Sequence, residues 1–369
     1  MISRATTIKT QAANNVTSKA TPIRAGIVGA GLMGRWHAWA VKRAGGCISA
    51  VMDLDPESAK RLAKNYSGAE SFSDVEEMLN RTKLNVLHVC TPPPTHYKIA
   101  ELAIDAGLNL LIDKPLTPIA ADTERLFTKA AGRGVLICPV HQFIFQDGVL
   151  KAKESLLRIG RIIHMDGTFC SAGGADLAGV EATGQSPLLN EIVADILPHP
   201  LSLMQVFLQN GLLNEDWMTV RPGHGEFRAV CETLGITLSI FISMNARPTE
   251  CSFKIVGTDG TIHIDMFHGY SFIEPGKVSR SRKIIHPFDL AVRRLSAAAV
   301  NLGRRFIRWE PAYPGLKRLV SSFYKAVRMG AESPISREDT IAIARVRDLL
   351  IHSAGLVKER EKHILEKDE

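Results

Sequence analysis

The chain has 369 residues, 45% of them hydrophobic and 22% charged, and a formal net charge of +7. That length supports two domains, the composition is that of a globular protein, and no apolar run approaches the roughly 18 residues that a membrane-spanning helix needs. The six cysteines form no Cys-x-x-Cys pair and read as reduced thiols of a cytoplasmic protein, while the twelve histidines include no His-x-x-x-His, so no metal is expected.

Residues 1–22 carry Arg4, Lys9 and Lys19 and no acidic residue, and lack the apolar segment of a secretory signal; they read as a flexible arm. The run Ile23 to Val28 then forms a short apolar strand that enters Gly29-x-Gly31-x-x-Gly34, followed by a helical pattern from Arg35 to Ala44. Gly29 permits a tight turn, Gly31 lets backbone approach a pyrophosphate, and Gly34 lets helix pack on strand. The phosphates of a dinucleotide would sit on the helix N-terminus, against the backbone of Gly29, Gly31, Leu32 and Met33. A second strand, Cys47 to Met52, ends at Asp53, where a carboxylate is needed to bind the ribose hydroxyls of the adenosine half. Asp53 would repel a 2′-phosphate, so NAD is expected over NADP.

Strands and helices alternate as far as Val140. Helices are expected from Pro56 to about Asn65, Val75 to Leu79, His96 to Ala106 and about Ile119 to Ala131. Strands are expected at Asn85 to Cys90, Asn109 to Ile112 and Gly134 to Val140. This order predicts a doubly wound parallel sheet over residues 23–140. Beyond it, Arg161 to Cys170, Val230 to Met244, Cys251 to Val256 and Thr261 to Met266 read as strands, with Gly257-Thr258-Asp259-Gly260 as a hairpin turn. Residues 141–369 are therefore expected to form an α+β substrate and dimerisation domain with a large, mainly antiparallel sheet.

The segment Val86 to His96, with its Thr91-Pro92-x-x-x-His96 turn, and Ile112-Asp113-Lys114-Pro115-Leu116 after the next strand closely resemble the Gfo/Idh/MocA oxidoreductases. The resemblance resumes at Ile255 to Thr261. It implies an NAD(P)-dependent dehydrogenase or reductase acting on a secondary alcohol of a sugar, a sugar derivative such as a nucleotide sugar, or a cyclitol. Thr91, Pro92 and His96 are implied to lie along the cofactor. Asp113 stands where the family usually has Glu, at a position implied to reach the nicotinamide ribose.

A strand that ends in Asp113-Lys114 delivers two charges to the carboxyl edge of the sheet, where ligands bind in this architecture. Lys114 there can donate to a substrate hydroxyl and favour its ionised form. The resemblance further implies a catalytic pair spaced Asp-x-x-x-His, supplied here by Asp195 and His199. Positions four apart share a helix face, which would let the carboxylate orient the imidazole that takes the hydroxyl proton. Pro198 and Pro200 instead point to a loop before a helix that begins at Pro200. Lys114, His141, Asp195 and His199 are the candidate substrate contacts. Two departures leave the substrate open: Ser202 replaces a further acid, and His141-Gln142-Phe143-Ile144-Phe145 replaces an Asn and Arg edge. An NAD-dependent glycoside hydrolase of the same family and a non-catalytic dinucleotide-binding scaffold are the alternatives.

Between Lys277 and Glu310 nine basic residues stand against Asp289 and Glu310, a local net of +7 that equals the charge of the whole chain. Residues 288–309 fit an amphipathic helix with a narrow apolar stripe. A helix packed on its own domain is the leading expectation, ahead of an anionic-substrate patch or peripheral membrane contact, because Gly303 weakens the helix and Ala297-Ala298-Ala299 offers little area. No recognition motif for nucleic acid accompanies the patch. The resemblance implies a homodimer or homotetramer built on the open face of the second sheet.

Overall fold

The computed structural model describes residues 22–172, 188–208, 216–276 and 283–356. The expectation for the N-terminal arm falls on residues 1–21, outside the described residues, as do Lys277, Arg280 and Arg282 of the basic segment.

Six strands form a parallel sheet: β1 (Arg24–Val28), β2 (Cys47–Met52), β3 (Glu70–Phe72), β4 (Val86–Val89), β5 (Asn109–Ile112) and β6 (Ile137–Pro139). Their order is β3-β2-β1-β4-β5-β6, the doubly wound arrangement expected, with β3 added to it. The helices α1 (Leu32–Arg43), α2 (Pro56–Ala63), α3 (Val75–Arg81), α4 (His96–Asp105) and α5 (Ala120–Arg133) alternate with these strands. Local chemistry sets their ends. Asp55 accepts from the backbone N–H groups of Glu57 and Ser58 at the start of α2, Asp74 caps α3, and Gly134 ends α5 in the left-handed region at φ 65°.

After α6 (Asp147–Glu154) come the strands of a second sheet: β7 (Ile162–Cys170), β8 (Met218–Val220), β9 (Glu226–Thr233), β10 (Ile236–Ser243), β11 (Glu250–Gly257), β12 (Gly260–Asp265) and β13 (Tyr270–Pro275). Their order is β13-β12-β11-β7-β10-β9-β8, antiparallel throughout except for the β7–β10 pair. The single strand expected over Val230 to Met244 is instead parts of two. The chain reverses at Leu234 and Gly235, whose φ values of 55° and 72° are those of a two-residue hairpin turn. An apolar alternation on both sides of a short turn hides it, because Leu234 carries no turn chemistry.

Two consecutive helices, α7 (Leu188–Ile196) and α8 (Pro198–Phe207), cover one face of this sheet together with a late helix, α11 (Arg337–Ser353), in one apolar core. Between them in sequence lie α9 (His286–Arg308) and α10 (Leu316–Met329). The helix α10 crosses back: Leu316, Leu319, Val320, Phe323 and Tyr324 are buried in the core of the parallel sheet with Ile27, Val41 and Val86. The first domain thus draws one helix from beyond residue 140.

Candidate active site

The candidates from the first domain lie at the carboxyl edge of the parallel sheet, on the loops that follow its strands or in the first turn of the helix after them. After β1, Gly29 has a φ of 95°, and a Cβ there would stand 2.7 Å from the carbonyl oxygen of Cys90. A Cβ on Gly34 would lie 1.8 Å from the carbonyl oxygen of Gly29, so only glycine lets α1 start this close to the strand. Gly31 is different, because a Cβ there meets nothing within 4 Å. Its glycine leaves open surface above the amino end of a 12-residue helix that no side chain caps. Leu32 is exposed beside it and Met33 half-buried.

Asp53 closes this cradle. Its carboxylate accepts the backbone N–H of Ala30 at 2.6 Å and that of Asp55 at 2.9 Å, which fixes a negative charge against the glycine loop. An uncapped helix end, open glycine surface and a held carboxylate fit the diphosphate and ribose of a dinucleotide.

Thr91 and Pro92 follow β4 and line the neighbouring loop, where Thr95 donates to the Thr91 hydroxyl at 2.7 Å. His96 takes a different part from the one expected. Its ring is fully buried, with Nε2 2.7 Å from the carbonyl oxygen of Thr91 and Nδ1 3.0 Å from that of Pro115. It ties two loops together from beneath and presents no surface to a cofactor. Asp113 accepts the backbone N–H of Lys114 at 2.8 Å, and the Lys114–Pro115 peptide is cis.

Lys114 joins the two domains. Its ammonium donates to the backbone carbonyl of Asp195 at 2.7 Å, in the last turn of α7. His199 follows in the first turn of α8, which begins at Pro198 rather than Pro200. Leu197 between them keeps a right-handed helical backbone, so the two helices run on directly. The expected carboxylate bond to the imidazole is not made: His199 Nδ1 is buried without a hydrogen-bond partner. Aromatic rings hold the imidazole instead. Phe143 stacks on it at 4.4 Å between centroids, and Phe169 lies nearly parallel at 6.3 Å. His141, at the end of β6, is buried with its own Nδ1 unpartnered.

The electrostatics of this cluster are consistent. Burial, with the Lys114 ammonium adding to it, takes His141 down to about 4. Burial, then Lys114, then His141 hold His199 well below the ordinary imidazole range. Both rings are neutral at pH 7, and a neutral ring can accept a proton.

Residues remote in sequence support the cluster. Arg347 of α11 is buried and donates to the carbonyls of Pro118 and Ala194, one on each side of the Lys114–Asp195 contact. Asp348 accepts the backbone N–H of Ala120 at 2.6 Å. Phe143 is visible in the sequence only as an apolar departure from the family's pattern. The bridging role of Arg347 has no local signal, since the two carbonyls it reaches lie 153 and 229 residues away. A cavity of about 210 Å³ next to the cluster is lined by His141, Ser202, Gln205 and Asp339 among others, with neither Lys114 nor His199 in its wall. Ser202 donates to the carbonyl of His199 at 2.9 Å, so it serves the helix and offers no substitute for the family's acid. Among the described residues no cluster of three His, Cys, Asp or Glu side chains could hold a metal ion.

Residues 23–141 match the GFO_IDH_MocA family, described as an oxidoreductase family with an NAD-binding Rossmann fold. Over this stretch, about a third of its length, the chain is similar to the Gfo/Idh/MocA oxidoreductases. A curated family relative, inositol 2-dehydrogenase 4 of Saccharopolyspora erythraea, is 36% identical over 115 residues, which is 30% of this chain and 34% of that one. The first such relatives are thus matched over about a third of their own length. Levoglucosan dehydrogenase of Pseudarthrobacter phenanthrenivorans is 23% identical across 90% of this chain and 96% of its own. Among solved structures, a levoglucosan dehydrogenase complex with NADH and levoglucosan superposes with a TM-score of 0.72 at 18% identity, covering 91% of this chain and 98% of that one. The WlbA dehydrogenase of Bordetella pertussis, in complex with NADH and UDP-GlcNAcA, does so with a TM-score of 0.70 at 17% identity, covering 91% and 96%. The likeness of fold to these solved structures therefore extends beyond the Rossmann domain to the large, mostly antiparallel sheet.

Proposed function

We propose that this chain is an NAD-dependent dehydrogenase or reductase that moves a hydride between the nicotinamide and a secondary alcohol carbon of a sugar, sugar derivative or cyclitol. The observation that carries the reading is the contact of Lys114 Nζ with the Asp195 carbonyl, 2.7 Å long. It brings the strand-end lysine of the dinucleotide domain against the helix pair that carries His199. Gly29, Gly31, Leu32, Met33, Asp53, Thr91, Pro92 and Asp113 would hold the dinucleotide, which supplies the hydride acceptor when bound. Lys114 would polarise the reacting oxygen, and neutral His199, held between Phe143 and Phe169, would take its proton through a ring nitrogen. Asp195 would contact substrate hydroxyls, since its carboxylate does not hold the imidazole. The substrates for which the relatives are named, inositol and levoglucosan among them, favour a polyhydroxylated ring.

Formation of NADH, followed by absorbance against a panel of cyclitols, anhydrosugars and nucleotide sugars, tests this. Lys114→Met and His199→Asn are each expected to lower kcat by about 10²–10⁴-fold while NADH still quenches protein fluorescence with an unchanged Kd. Full turnover in both variants, or release of free sugar with no net NADH, would remove the dehydrogenase assignment.

We also propose a homo-oligomer formed through the second sheet. Its outer face alternates half-exposed side chains such as Asp166, Thr168, Ser239 and Phe241 with the buried ones, and that face is left uncovered by α7, α8 and α11. A monomeric mass by light scattering at micromolar concentration would refute it.

A further inference from the structure

The helix α9 sits on its domain the wrong way round. An amphipathic helix of a globular protein turns its apolar stripe inward, but here the inward contacts are polar. Asn301 is buried and donates to the carbonyl of His268 at 2.8 Å. Arg305 reaches the same carbonyl and those of Glu310 and Pro311, Arg294 donates to the Tyr270 hydroxyl, and Arg308 pairs with Asp147 at 2.7 Å. The apolar stripe points to solvent: Phe288, Val292, Leu295, Leu302, Phe306 and Trp309 are between 61% and 79% exposed.

The packing also removes both reasons for discounting this segment. Gly303 does not interrupt the helix, which runs unbroken for 23 residues, about 34 Å at 1.5 Å per residue. Ala297 and Ala298 are half-buried on the domain side, so of the three alanines only Ala299 takes area from the outer face.

We propose that α9 is a peripheral membrane anchor that lies in the surface of an anionic bilayer. Two observations select a lipid surface as the occupant. First, Val300 and Ile307 are also exposed, and Ile284 and Ile285 continue the patch at its start. On a 3.6-residue period these side chains widen the apolar arc to about half the circumference, interrupted by Ser296 and Asp289, which is more than one packed helix covers and what a planar apolar medium buries. Second, basic residues flank that arc: by the same period the exposed Arg293 and Arg304 lie along one edge, while Arg294 and Arg305 on the other edge hold the helix to its domain. The one acid within the helix, Asp289, is already paired with Arg293 at 2.7 Å. The stem of Arg304, laid along the interface beside Arg293, would carry its head to lipid phosphates while the apolar arc enters the acyl boundary, and Trp309 and Phe306 would anchor its end. A second copy of the same helix would bring these arginine rows together with no acid to meet them.

The test is co-sedimentation of the full-length protein with vesicles of phosphatidylcholine alone or with one-third phosphatidylglycerol, at low and high salt. Binding is expected to the anionic vesicles at low salt, to fall steeply at high salt, and to be near background on neutral ones. Leu302→Asp combined with Phe306→Asp should abolish it and leave the melting temperature unchanged, because both side chains are exposed. Arg304→Glu, at an exposed position, should lower partitioning roughly tenfold. Protein left in the supernatant under all conditions overturns the proposal. So does a halved molar mass in the double variant without any vesicle binding by the parent, which would assign the face to a second copy.

Discussion

A carboxylate that accepts two backbone N–H groups cannot easily move aside, and that is the position of Asp53 at the end of β2. The adenosine ribose would meet it as a fixed charge, so a 2′-phosphate would be placed beside an anion with little freedom to retreat. Asp53→Ser is expected to shift the ratio of NADPH to NADH affinity by tenfold or more toward NADPH, measured by fluorescence titration of both. An unchanged ratio would show that another group sets the preference. Asp53 is legible in the sequence because both its strand and the glycine loop are local patterns. The partnerless Nδ1 of His199 is not legible. Four-residue spacing implies a bond between Asp195 and His199, but a new helix starts at Pro198 between them, and the aromatic rings that hold the imidazole come from elsewhere in the chain.

At the scale of elements, the glycine turn makes a sharp distinction between folding and binding. Gly34→Ala puts a methyl group into the Gly29 carbonyl at a fully packed crossing, so a loss of about 1–3 kcal/mol in denaturant unfolding is expected. Gly31→Ala should leave stability within about 0.5 kcal/mol, because the added methyl meets open space, yet weaken NADH binding where that space receives the diphosphate. Equal effects of the two on stability would contradict the assigned roles. Apart from the three-residue β3, the strands and helices over residues 23–140 are legible to within a few residues because their periods and caps are local. The pairing of β9 with β10 across Leu234–Gly235 is not, nor is the return of α10 to the parallel sheet. Its apolar spacing at Leu316, Leu319, Val320 and Phe323 declares a buried face without saying which sheet it covers. The same holds for α9, whose stripe is plain in the sequence and whose outward direction depends on contacts made by Asn301 and Arg308.

For the whole molecule, four imidazoles are held neutral by burial: His37, His88, His141 and His199 all lie below their ordinary range, with His141 at about 4. Unfolding restores each to about 6.5. Below that pH the unfolded chain therefore binds protons that the folded chain refuses, and stability falls as pH drops from about 6.5 toward 4. At about 1.4 kcal/mol per pH unit, His141 alone contributes a loss of up to ~3 kcal/mol across that window. Chemical denaturation between pH 7.5 and 4.5 should show the decline, with His141→Asn flattening part of it. A stability that stays level to pH 5 would contradict neutral burial of these rings.

The crossing of α10 has a consequence for how the protein is made. Tyr324 donates or accepts at 2.8 Å with His88 in the middle of the parallel sheet, and Phe323 is buried beside it. A ribosome that has released residues 23–140 has therefore emitted every strand of the dinucleotide domain without the helix that seals one side of it. Almost two hundred further residues must follow before that surface closes. During that interval the face of α1 that receives α10 is bare, so the dinucleotide domain cannot be separated from the end of the chain by cutting at its boundary. Synthesis of every strand of the second sheet precedes completion of the first domain.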